Sequence, residues 1–95
     1  MIANYEFTVI LSADDEKMKE GLAFVKARLA EVGAEITKEE DLGVKTLAYR
    51  IQKSDKGHYV YFELALDTQA VAKVSRDFEL STLVLKYLFV NPAKI

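Results

Sequence analysis

The side chains able to carry chemistry are few. His58 is the only histidine in 95 residues and cysteine is absent, so a thiolate nucleophile, a thiolate metal site and a disulfide are excluded. A zinc site would need two or three carboxylates converging on His58, and no such spacing is present. Next to a polar turn, His58 reads as a packing or surface residue. Ser12, Ser54, Ser75 and Ser81 lie outside any G-x-S-x-G nucleophile elbow. The runs Asp14-Asp15-Glu16 and Glu39-Glu40-Asp41 contain paired carboxylates of the kind used in acid–base catalysis. Each run is contiguous, however, at a helix start or a turn, where carboxylates are solvated edges. Gly21, Gly33, Gly43 and Gly57 do not approach the G-x-G-x-x-G or G-x-x-x-x-G-K spacing that cradles phosphate. The segment between Leu11 and Lys17 holds no arginine, which an acylphosphatase loop would need to grip phosphate. No cofactor and no small-molecule substrate are expected; a binding role remains.

Charge limits what such a protein can bind by itself. Thirteen Lys and Arg against fifteen Asp and Glu give a formal net charge of −2, poor for gripping nucleic acid by neutralising phosphates alone. RNA binding would require clustered basic residues or a basic companion. No apolar run approaches the roughly 20 residues that span a bilayer, and Met1 to Phe7 lacks the features of a signal peptide. A cytoplasmic protein with no membrane partner is expected. The apolar fraction of 51% with 29% charged residues suits a folded chain, and this length supports one core. Residues 1–95 are therefore read as a single domain.

The elements that must position any binding residue follow from periodicity. From Asn4 to Leu11, Tyr5, Phe7, Val9 and Leu11 alternate with Asn4, Glu6, Thr8 and Ile10, predicting a strand with one buried face. Ser12 and Asp15 have capping-box spacing, and Met18, Leu22, Val25, Leu29 and Val32 form a helical stripe closed at Gly33. Ala34 to Lys38, an acidic turn at Glu39, Glu40 and Asp41, and Val44 to Lys53 predict a second strand that is long or bent near Gly43. Ser54, Asp55, Lys56 and Gly57 read as a polar turn before a strand from His58 to Leu66. Asp67 or Thr68 caps a second helix with Val71, Val74 and Phe78 inside and Lys73 and Arg76 outside. Leu83 to Val90 is the last strand, ended by Asn91 and Pro92.

This order, βαββαβ, predicts an α+β, ferredoxin-like split βαβ fold: a four-stranded antiparallel sheet with two helices on one face. The other face is open. Glu6, Thr8 and Ile10 fall on it from the first strand, and Tyr59, Tyr61 and Glu63 from the third. The fourth strand is apolar on both sides, with Leu85, Tyr87 and Phe89 on one and Val84, Leu88 and Val90 on the other, interrupted by Lys86. Such a strand implies a partner on the open side, or else an apolar edge or a dimer contact.

The stretch Gly43-Val44-Lys45-Thr46-Leu47-Ala48-Tyr49-Arg50-Ile51-Gln52-Lys53, followed by Gly57-His58-Tyr59, resembles the family of bacterial small-subunit ribosomal protein six. Tyr5-Glu6 and Val84-Leu85-Lys86-Tyr87 are similar to that family's first and last strands, so the resemblance covers essentially the whole chain. Arg50 stands where the family usually has proline, Ile2-Ala3 replaces an often basic start, and the longer acidic tail of some members is not matched. The resemblance implies a non-enzymatic protein of the small (30S) subunit that binds the central domain of 16S ribosomal RNA together with ribosomal protein eighteen. That partner is basic, which would reconcile RNA binding with a net negative charge. Matched positions nominate Tyr5, Lys45, Arg50, Lys53, Lys56 and Lys86 as RNA or partner contacts and Tyr59 as a stacking residue. Val84, Leu88 and Val90 would be the apolar surface facing the protein partner.

Two rival readings stay open on the residues alone. An RNA recognition motif has the same element order and reads single strands through aromatics on its open sheet, and Lys56-Gly57-His58-Tyr59-Val60-Tyr61-Phe62 is similar to its third-strand motif. The first strand, however, offers Glu6 and Thr8 where a stacking aromatic belongs. The second rival is a ferredoxin-like homodimer, either binding a small ligand or enzymatic, with the fourth strand as its interface.

Overall fold

The computed structural model describes residues 1–51 and 54–92. In chain order the elements are β1 (Ile2–Ser12), α1 (Asp15–Glu31), β2 (Glu35–Ile51), β3 (Ser54–Asp67), α2 (Thr68–Leu80) and β4 (Val84–Val90). The strands form one antiparallel sheet in the order β2-β3-β1-β4. Both helices lie on one face of it, as the ferredoxin-like pattern predicts.

Alternation along β1 carries Phe7, Val9 and Leu11 to the helix side, all fully buried. β3 adds Val60, Phe62, Leu64 and Leu66, α1 adds Val25 and Leu29, and α2 adds Val74 and Phe78. The Phe7 ring lies 4.3 Å from Phe89, 5.5 Å from Phe78 and 5.8 Å from Phe62 between centroids. Burying one such side chain contributes roughly 1.5–3 kcal/mol, so this aromatic stack anchors the middle of the sheet.

The helix starts follow capping chemistry. Asp67 is the N-cap of α2, its carboxylate accepting the Gln69 amide at 2.9 Å. For α1 the cap is Asp14, which accepts from the Glu16 amide at 3.0 Å, and not Ser12. Ser12 is still paired with Gly57 in the sheet, so it remains a strand residue and its hydroxyl accepts the Asp14 amide instead. Gly33 ends the helical segment at φ 76°, a left-handed conformation that glycine adopts without steric cost.

The largest departures from the sequence reading lie in the hairpin of β2 and β3. Glu39, Glu40 and Asp41 do not turn; they pair with Phe62, Tyr61 and Val60. The strand continues because its irregularities are absorbed by bulges, one between Ile36 and Lys38 and one between Asp41 and Gly43. At the first, the Thr37 hydroxyl donates to the Glu63 carbonyl; at the second, Gly43 takes φ 82°. Ser54 to Gly57 are likewise strand residues, since Lys56 pairs with Thr46 and Ser54 with Ile51. Lys53 lies outside the described residues.

β4 carries a further bulge, with Leu11 opposite Val84 but Ile10 opposite Lys86. The extra residue, Leu85, reverses the expected facing of Val84. Val84 is 4% exposed within the core and is not part of the open surface. Lys86, Leu88 and Val90, opposite Ile10, Thr8 and Glu6, do lie on the open side.

Candidate nucleic-acid and partner interface

The open face is partly roofed by the hairpin that frames it. β3 pairs with β1 only as far as Gly57, whereas β2 and β3 pair on to Ile51 and Ser54. Beyond the β1 contact the hairpin is a free two-stranded ribbon, the geometry in which strand twist is largest. It arches over the open face, and Leu47 and Ile10 are each only 8% exposed. Ile10 was expected to be open and is covered for this reason. The close approach depends on Gly57: a Cβ there would collide with the Ile10 side chain and lie 3.4 Å from Leu47 Cδ2.

The arch also closes a long-range polar contact. β2 and β4 are three strand spacings apart, about 14 Å in a flat sheet. Even so, the Lys86 ammonium donates to the Tyr49 hydroxyl at 2.7 Å and lies 5.4 Å from the centre of that ring. The Tyr49 hydrogen bond raises the Lys86 pKa above its ordinary value, so the charge is retained. A second pair lies alongside, with the Lys45 ammonium 5.6 Å from the centre of the Tyr59 ring. A cation over an aromatic face is attracted by the ring quadrupole, which applies to Lys45 and Tyr59; Lys86 meets its ring at the hydroxyl end. Between the pairs, Thr8, Ile10, Tyr59, Lys86 and Leu88 line a shallow groove of about 230 Å³. Leu88 is 59% exposed and Val90 half-buried, giving this side of β4 an apolar rim.

The far end of the same face has opposite charge. Tyr61 donates to Glu63 at 3.1 Å. Desolvation first, and then Glu63, Glu6 and Glu40, raise its pKa. Lys38 lies 3.8 Å from both Glu40 and Glu63.

The nominated residues therefore divide. Lys45, Tyr59 and Lys86 are brought together on the open face. Tyr5 is not among them: it lies half-buried on the helix side, edge-on to Phe89 at 6.0 Å, because it shares the inward parity of Phe7. Lys56 is exposed but shares parity with buried His58 and Val60, placing it on the other side of the ribbon; Arg50 is exposed beside Tyr49. Sequence reasoning missed Tyr49, whose alternation with Leu47 was legible but whose contact with Lys86 needs the arch. It also missed the partner of His58: Nε2 meets Asp41 Oδ1 at 2.5 Å, and that oxygen also accepts the Gly43 amide at 2.8 Å. Among the described residues no group of three or more His, Asp or Glu side chains converges to hold a metal, and no helix is long and apolar enough to cross a membrane.

Comparison with known proteins gives a consistent set of similarities. Residues 4–91 match the family model described as ribosomal protein S6. A small ribosomal subunit protein bS6 from Treponema denticola is 36% identical over 88 residues, covering 93% of this chain and 95% of the relative. Its counterpart from Geobacter metallireducens is 34% identical over 96 residues, covering 99% of this chain and 81% of the relative. Among solved structures, 30S ribosomal protein S6 from Thermotoga maritima superposes with a TM-score of 0.86 at 20% identity, covering 99% of this chain and 91% of that one. An uncharacterized protein from the same organism has a TM-score of 0.63 at 13% identity, covering 97% and 99%. At these identities the two structures speak for the fold alone.

Proposed function

Because this chain belongs to the ribosomal protein S6 family, a non-enzymatic family of the small ribosomal subunit, we propose that it binds the central domain of 16S ribosomal RNA together with ribosomal protein eighteen. Membership in the family makes it a component of the small subunit, and hence of the bacterial cytoplasm. Residues 1–95 act as one domain in this reading.

The observation that carries the proposal is the pairing of Lys45 with Tyr59 and of Lys86 with Tyr49 on the open face of a chain whose net charge is −2. One ammonium held at the Tyr49 hydroxyl, another beside the half-buried Tyr59 ring, and an apolar groove suit phosphates and an unstacked base. The opposite end, with Glu6, Glu40 and Glu63, suits a basic protein, and exposed Leu88 with half-buried Val90 gives that partner apolar area to cover. Arg50 and Lys56 would add long-range attraction from the hairpin, and Lys53 would contribute its charge. The recognition-motif rival gains little: β1 presents Glu6 and Thr8 on the open face, and Tyr61 is engaged by Glu63.

The test is Lys86→Glu, assayed for RNA binding in the presence of ribosomal protein eighteen at fixed salt. RNA affinity should fall while thermal unfolding stays close to wild type. Undiminished affinity would remove Lys86 from the interface.

A further inference from the structure

We infer that Asp41 and His58 form a clasp at the root of the hairpin that sets its arch over the open face, and so positions Tyr49 against Lys86. The placement of the clasp is the first argument. Asp41 pairs with Val60 before the bulge and Val44 pairs with His58 after it, so the Asp41–His58 contact ties together the two sides of the irregularity. The same carboxylate oxygen accepts the Gly43 amide at the centre of the bulge, where φ is 82°. One oxygen thus holds both the bulged backbone and the opposite strand. A bulge bends its strand and increases local twist, and here the bend begins just before Lys45, Leu47 and Tyr49, the residues carried over the sheet.

The second argument is the state of the histidine. His58 is 8% exposed, and its Nδ1 has no hydrogen-bond partner among the described residues. A bare ring nitrogen is better tolerated in such a place than an orphaned N–H donor. The proton therefore belongs on Nε2, which donates to Asp41. This orients the ring with a single hydrogen bond to an exposed carboxylate, a contact that can be removed without opening the core.

The isolated full-length protein tests this without RNA or a partner, so the result stands apart from the functional reading. The readout is the nuclear Overhauser cross-peak between the Tyr49 ring and the Lys86 side chain, with amide exchange in α1 and β1 recorded alongside. Asp41→Ala and His58→Leu should lose the cross-peak while α1 and β1 keep their protection. Asp41→Asn keeps an acceptor oxygen and His58→Gln keeps a donor near the Nε2 position, so both should retain it. A cross-peak that survives in Asp41→Ala overturns the inference. So does a loss of protection across α1 and β1 in Asp41→Ala, because the pair would then be holding the core and not the arch. Failure of both conservative variants to retain the cross-peak rules out a hydrogen-bonded clasp.

Discussion

The two ends of the open sheet face share the same strands and the same core beneath them, yet they differ in charge and in how their side chains are fixed. At the hairpin end, Lys45, Tyr49, Tyr59 and Lys86 are brought together by an arching ribbon and by residues up to 37 apart in sequence. At the other end, Tyr61, Glu63, Glu6 and Glu40 are neighbours by strand register alone. The sheet supplies the acidic end by simple pairing. The basic end exists only once the ribbon has twisted across the face, so the two should respond differently to substitution.

The largest expected effect falls on both ends alike. Phe7→Ala removes the centre of the aromatic stack and should cost about 3–5 kcal/mol, measured by urea unfolding. A loss confined to one end would mean that the ends do not share a core. Next is Gly57→Ala, whose Cβ would strike Ile10. Overpacking of this kind costs about 1–3 kcal/mol, and it should disturb Tyr49 and Lys86 while leaving the Tyr61 and Glu63 signals in place. Identical chemical-shift changes at both ends would break the comparison.

Lys86→Glu should weaken RNA binding about tenfold, equivalent to about 1.4 kcal/mol, with unfolding stability changed by less than about 0.5 kcal/mol. Glu63→Lys, at the other end, should leave RNA affinity measured without the protein partner unchanged or raise it, while weakening capture of that basic partner. Equal losses of RNA affinity from the two reversals would erase the distinction between the ends.

The smallest effect is a pH dependence. The Gly43 amide first, and then His58, lower the folded pKa of Asp41, so the folded state holds the carboxylate in its charged form. The stabilisation is fully present above the ordinary carboxylate range near pH 4, and it is lost as pH falls through the depressed folded value. Asp41→Asn should flatten that acid limb of a stability–pH profile; an unaltered limb would mean the clasp contributes nothing to stability.

Much of the fold was legible because alternation and helical spacing act locally. Phe7, Val9, Leu11, Val60, Phe62 and Leu64 read correctly as buried from their period of two. Val74 and Phe78 did so from their helical spacing. Polar clusters misled: Glu39-Glu40-Asp41 and Ser54 to Gly57 have turn composition but lie in strands, since pairing across a hairpin overrides local preference. A single bulge was enough to invert Val84, because one inserted residue exchanges the faces of a strand. Tyr5, nominated as a contact, lies on the helix side, as its parity with Phe7 had marked.

The sequence by itself determined the element order, the helix-side core and the family, all of which rest on short-range periodicity or on ordered motifs along the chain. It also placed Tyr59 and Lys86 on the open side and nominated Lys45 through the matched motif. Only the tertiary structure decided that Tyr49 meets Lys86, that Ile10 is covered and that Asp41 holds His58. Those contacts depend on how far a two-stranded ribbon twists once it leaves the sheet. The bulges and the close approach at Gly57 that accompany this twist join residues far apart in the chain, beyond the reach of short-range periodicity.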